Sequence, residues 1–292
     1  MKNIIDLNNY DLKLNYDYDN GVGESNYLIN INDETYYVKK SNYNEKELVI
    51  SEFCHLLDIP CVNYELAKKD NEYYVISKSF RKKDCKYISG KELITKFLDN
   101  TDNKTKKALN IYNINYDKLN NLETIWLSIA DNYADSPSKY NDIRNVMVEL
   151  LKQYFLMILI QDIDFHWFNW EIEESIDHIK LAPKYDNEGA FGGEFYYGVP
   201  MGVDGDDPFQ RTTDSISHFI NITASEDNEL FLDLYNKATP ELFQKAINNV
   251  KERYGIEKLL LEDSMLSKYQ EQHDRLENLL KEKGLKRWMR SI

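Results

Sequence analysis

Gln161-Asp162-Ile163-Asp164-Phe165-His166-Trp167-Phe168-Asn169-Trp170 is the stretch on which the fold turns. Upstream, residues 141–160 carry Ile143, Val146, Met147, Leu150, Leu151, Tyr154, Phe155, Ile158 and Leu159 at helical spacing. That wide apolar face predicts a helix lying in the core. Downstream, two short β-rich runs at 170–173 and 178–182 predict a hairpin turning across 174–177. The chain then reads Pro183-Lys184-Tyr185-Asp186-Asn187-Glu188-Gly189, which places Asp186 seventeen residues after Asn169.

Acids at the ends of apolar elements are costly unless a cation or partner compensates them. Any one of these residues alone would be a cap, a turn former or, for His166, a satisfied core histidine. The ordered set points elsewhere. An acid, an amide five residues later and a second acid beyond a hairpin match the needs of phosphoryl transfer. That chemistry asks for hard oxygen ligands around magnesium and an oriented hydroxyl. Asp164 is therefore expected to accept the hydroxyl proton, and Asn169 and Asp186 to ligate Mg2+. His166 is expected to shape the loop beside the metal.

The first eighty or so residues favour strands, at 11–18, 27–31, 34–39, 61–67 and 73–79, around a helix at 45–57. Gly21-Val22-Gly23-Glu24-Ser25, between the first two runs, could cover a triphosphate, because glycine lets backbone N–H groups approach phosphate oxygens. A strand end at Lys39-Lys40 offers a cation to the phosphates, and by composition either lysine could serve. Glu47, on the following helix, could hold it in place. Ser77-Lys78-Ser79 closes the last strand, where a hinge would present backbone groups to adenine.

From Ser89 onward helical patterns dominate. Residues 240–253 have Thr239 as N-cap, Pro240 at the first helical position and Gly255 after the end. A long charged helix at 262–283 follows. The expected fold is α+β and protein-kinase-like, with a small β-rich N-lobe (1–85) and a larger helical C-lobe (86–292).

Composition narrows the alternatives. A net charge of −14 over 292 residues argues against a broad nucleic-acid-binding surface, so no direct nucleic-acid binding is expected. The three cysteines, Cys54, Cys61 and Cys85, lack CxxC spacing and read as reduced thiols of a cytoplasmic protein. The N-terminus has no apolar core of signal-peptide length, and the most apolar run, 155–160, is far too short for a bilayer, so no membrane association is expected. There is no HExxH, no nucleophile elbow and no Walker-type phosphate loop. Asp204, Asp206 and Asp207 form an acidic turn without the calcium-loop pattern.

These residues resemble the HipA-like serine/threonine kinases. Gln161 to Trp170 looks like the family's G-N-T-D-R-H-x-x-N-W loop, and Leu181-Ala182-Pro183-Lys184-Tyr185-Asp186-Asn187 is similar to its L-A-P-x-Y-D-N segment. Gly21 to Ser25 looks like the phosphate loop, and Tyr37-Val38-Lys39 resembles the strand ending in the ATP-contacting lysine, which favours Lys39 over Lys40. Phe165, Gln161, Ser25 and Asp58 depart from the family pattern. The resemblance implies ATP and Mg2+ as cofactors and a protein Ser or Thr hydroxyl as acceptor. It also implies a compact form without the extra N-terminal subdomain of full-length toxins, and allows a DNA-binding antitoxin partner of the kind those toxins have. A lipid or small-molecule kinase of the same fold shares the D-x-H-x-x-N order, and an inactive nucleotide-binding regulatory module is the reading from another class.

Overall fold

The computed structural model describes residues 4–14, 25–40, 44–102, 122–162, 169–187, 189–191 and 225–282. Its N-terminal part is a sheet with one helix against it. The strands are β1 (Ile5–Asp6), β2 (Lys13–Leu14), β3 (Ser25–Ile31), β4 (Glu34–Lys40), β5 (Tyr64–Lys69) and β6 (Glu72–Lys78). Their order is β1-β5-β6-β4-β3-β2; only β1 and β5 run parallel. Asn32 and Asp33, both at positive φ (51° and 64°), make the tight β3–β4 turn. Two left-handed residues match the twist of a hairpin, and Asn and Asp tolerate that conformation.

Period-two alternation decides what each strand residue faces. On β6, Tyr74 and Ile76 join Leu7, Ile29, Val38 and Ala67 on one face, while Val75 joins the main core on the other. Helix α1 (Asn44–Leu56) covers that second face through Leu48, Val49, Ile50 and Phe53. All residues from Lys46 to Cys54 are buried, charged ones included. Cys61, expected at the head of a strand, instead forms an isolated parallel bridge with Lys184, and β5 starts at Tyr64.

The remaining chain is mostly helical. After β7 (Lys86–Ser89) come α2 (Gly90–Asn100), α3 (Leu122–Tyr133) and α4 (Pro137–Ile160). Then follow β8 (Glu171–Glu174), β9 (Ile179–Leu181), α5 (Ser225–Lys237), α6 (Pro240–Tyr254) and α7 (Glu262–Glu282). Ser89 caps α2 by accepting the Glu92 amide at 3.2 Å, and Thr239 caps α6 by accepting that of Leu242 at 3.2 Å. Gly255 ends α6 at φ 68°, as its position after the helix requires. Helix α4 starts at Pro137, earlier than 141, because its polar first turn lies outside the apolar face that marks it in sequence. Beyond Met147 every residue of α4 but Val148, Glu149 and Lys152 is buried.

Aromatic packing and ion pairs join the two parts. Phe53 of α1 meets Phe243 of α6 and Tyr269 of α7 edge-on, at 5.1 and 5.4 Å between centroids. Phe243 and Tyr269 stack at 4.3 Å, and Phe191 abuts Phe243 at 5.7 Å. Glu52 of α1 accepts from Asn249 at 2.8 Å and pairs with Arg253. Both Glu45 oxygens accept backbone N–H groups, from Leu260 and Leu261, at 2.8 Å. No helix among the described residues is long and apolar enough to cross a membrane.

Candidate active site

The strand period places Lys39. It lies opposite Val75, so it shares the face covered by α1, whereas Lys40 points the other way and pairs with Glu72 at 2.7 Å in the open. Two adjacent lysines are thus separated by strand geometry into an inner and an outer cation. The Lys39 ammonium lies 3.4 Å from Glu47 Oε1 and 2.9 Å from Asp186 Oδ1. Glu47 is fully buried, in the first turn of α1. Its other oxygen accepts from the Asn187 backbone at 3.0 Å and the Asn187 side-chain amide at 2.9 Å. One carboxylate thereby fixes both the cation and the turn after Asp186.

Asp186 itself sits at φ 59°, a left-handed conformation that Asp tolerates better than most residues but that still stores strain. Its backbone N–H donates to the Tyr64 hydroxyl at 3.2 Å. Burial first, and then the Glu47 charge, push the Tyr64 hydroxyl well above its usual range, so it stays a neutral acceptor. The Asp186 side chain is 37% exposed and so open to a ligand. Two lysines hold the chain beyond it: Lys46 donates to Ala190 O at 2.6 Å and Lys268 to Phe191 O at 2.5 Å.

Asn169 is buried just ahead of β8. Residues Ile172 and Leu181 face each other in the β8–β9 hairpin, and Ala182 N donates to Glu171 O at 2.9 Å. Antiparallel pairing makes the chain enter and leave the hairpin at one end, so Asn169 and Asp186 emerge on the same side of it. Asp162 closes α4 behind Gln161, which takes the left-handed C-cap at φ 47°. Its carboxylate meets the Lys184 ammonium at 3.0 Å in complete burial. Burial opposes the Lys184 charge, but the Asp162 carboxylate outweighs it and raises the pKa.

The sequence-expected residues fall into three groups. Lys39, Glu47 and Asp186 converge, and Asn169 leads into the hairpin whose far strand runs on toward Asp186. Ser77 lies inside the sheet between Tyr37 and Tyr64, Lys78 reaches out to Glu34 at 2.5 Å, and Ser79 donates its N–H to Thr35 O at 2.9 Å. Backbone outside that ladder begins after Ser79. Asp164, His166, Gly21, Val22, Gly23 and Glu24 lie outside the described residues, as does the side chain of Ser25, whose backbone opens β3 opposite Lys40. Tyr64, Asn187 and the Asp162–Lys184 pair escaped the sequence reading as site residues, since each acts across a long separation that no local pattern records.

The donors fit a magnesium ion. Among the described residues no three His, Cys, Asp or Glu side chains gather to cage a metal unaided. Magnesium in nucleotide sites needs few protein oxygens, because phosphates and water complete its shell. Asp186 offers an accessible carboxylate and Asn169 an amide. Asn187 Oδ1 is buried without a hydrogen-bond partner, its orientation fixed by the hydrogen bond its side-chain N–H donates to Glu47. A cavity of about 260 Å³ between β7, α2, α3, α4 and β8 shares none of these residues.

Comparison with solved structures gives the same architecture. The chain resembles the Helicobacter pylori proinflammatory kinase CtkA, with a TM-score of 0.58 and 15% identity over 95% of this chain and 99% of that one. It also resembles the HipA chain of the Shewanella oneidensis MR-1 toxin–antitoxin complex with HipB and operator DNA, with a TM-score of 0.56 and 14% identity. That match covers 86% of this chain but only 62% of the HipA chain. The fold is that of a HipA-like kinase: a β-sheet N-lobe on a helical C-lobe. No family model matches the sequence. No curated protein matches it either.

Proposed function

We propose that this chain is a serine/threonine protein kinase of HipA type, dependent on ATP and Mg2+. The observation that carries the reading is the Lys39–Glu47–Asp186 cluster, in which the strand, α1 and the segment after the hairpin meet at 2.9 and 3.4 Å. Lys39 steadies the α- and β-phosphates beneath the loop Gly21 to Ser25, and Glu47 holds Lys39 in place. Backbone beyond β6 receives the adenine. Asn169 and Asp186 hold magnesium, which supplies charge neutralisation on the phosphates. Asp164 orients the acceptor Ser or Thr hydroxyl and accepts its proton as the oxygen bonds to the γ-phosphorus and ADP departs.

Free thiols at Cys54, Cys61 and Cys85 support a cytoplasmic setting. Burial pushes the Cys54 thiol well up, which argues against thiolate chemistry there. The HipA relative was solved with HipB and operator DNA, so an antitoxin is the partner to seek by co-purification.

Thermal shift with Mg-ATP followed by turnover assays against protein, lipid and metabolite acceptors tests the proposal. Stabilisation together with label on protein is expected. Label on lipid or metabolite alone would reassign the acceptor, and binding without turnover on any acceptor would leave a regulatory module.

A further inference from the structure

We propose that the buried pair Asp162–Lys184 is a positioning device that sets Asp186 for the metal, an inference that rests on the kinase reading above. The two members occupy matching places in the chain. Asp162 stands two residues before Asp164, and Lys184 two residues before Asp186. Their side chains are 1% and 0% exposed, and the ammonium lies 3.0 Å from Asp162 Oδ2.

Each member is anchored on rigid structure at its own backbone. The Asp162 N–H donates to Met157 O at 3.1 Å, which fastens it to the end of α4. The Lys184 N–H donates to Pro60 O at 2.9 Å, and Lys184 O accepts from Val62 at 2.8 Å. Lys184 therefore ties the metal-side segment to the stretch linking α1 to β5, while its side chain reaches Asp162 just past the end of α4. A single residue connects three segments of the chain.

Stability does not account for a charge pair here. A buried ion pair roughly breaks even against apolar side chains of equal volume, because desolvation offsets its attraction. A hydrogen-bonded pair does supply a fixed distance, where apolar contact lets two loops slide past each other. Ligand oxygens that must meet at one ion within fractions of an ångström need that constraint, and outer-shell partners of this kind govern ligand orientation.

The test uses the full chain with Asp162→Leu and Lys184→Met combined, so that neither charge is buried alone. ADP affinity is measured calorimetrically with and without Mg2+, alongside Tm and wild-type turnover. The double variant should fold with a Tm near wild type and bind ADP without metal as wild type does. The gain in affinity on adding Mg2+ should fall about tenfold or more. A Mg2+ gain equal to that of wild type overturns the inference. If the apolar pair does not fold, Asp162→Asn carries the test, with a reduced Mg2+ gain expected and an unchanged one overturning it. A wild-type chain whose ADP binding ignores Mg2+ overturns both the inference and the kinase reading. Wild-type turnover with an unperturbed double variant overturns the inference alone.

Discussion

Lys39 Nζ lies 2.9 Å from Asp186 Oδ1 and 3.4 Å from Glu47 Oε1, so one ammonium links β4 and the neighbouring α1 to a segment 147 residues further along the chain. Lys39→Met should remove a fixed positive charge from where phosphate charge develops. Turnover is expected to fall about 100-fold or more, as for loss of other preorganised electrostatic groups. The Lys40→Met control should leave it nearly unchanged, since Lys40 faces outward onto Glu72. Steady-state kinetics on the two variants make the comparison.

Tyr64→Phe isolates one hydrogen bond. The hydroxyl accepts the Asp186 N–H at 3.2 Å, and without it that donor loses its acceptor at a residue held in the left-handed conformation. Chemical denaturation should show a loss of about 1 kcal/mol. Mg2+ dependence of turnover should shift as well, because the backbone that presents Asp186 loosens.

The attachment of α1 to the helical part predicts a stability effect distant from the chemistry. Glu52→Ala removes the acceptor of Asn249, 2.8 Å away, and the partner of Arg253. A charge-assisted bond of this kind is worth about 2 kcal/mol, to be read from denaturant midpoints at constant m. Nucleotide affinity should change little by comparison.

Glu173 gives the acid limb of stability. Burial would raise its pKa, but Lys82 at 2.8 Å and the Tyr87 hydroxyl at 3.0 Å overcome this and lower it from 4.5. A carboxylate whose folded pKa is depressed adds stability that is fully present above its unfolded value and lost as pH falls through the folded one. Wild-type Tm should therefore drop more steeply below about pH 4.5 than that of Glu173→Gln. Calorimetric scans over that range would show parallel curves if the pairing contributed nothing.

Much of this arrangement was legible in the sequence where its cause is local. Thr239, Pro240 and Gly255 mark the ends of α6 because caps are decided by the residues at those positions. The period of two that separates Lys39 from Lys40 was available too, yet it needed β6 and α1 to say which face was inner. The run at 11–18 showed strand alternation, but among described residues only Lys13–Leu14 pairs, against β3. Strand β7 was too short to stand out, and it exists because Lys86 to Ser89 pair with β8. Tyr64 and Asp186 are 122 residues apart, so their bond has no local signature. The same holds for Asp162 and Lys184, charged residues inside an apolar setting whose meaning appears only when the helix end and the bridge to Cys61 come together.

Mass spectrometry of purified protein after incubation with Mg-ATP and a mixed protein acceptor tests the central claim most directly, with Asp164→Ala and Asp186→Ala run in parallel. Phosphate on Ser or Thr in the wild-type reaction, absent from both variants while each remains folded, is the predicted result. Equal phosphate from wild type and either variant would contradict the assignment of these acids to phosphoryl transfer.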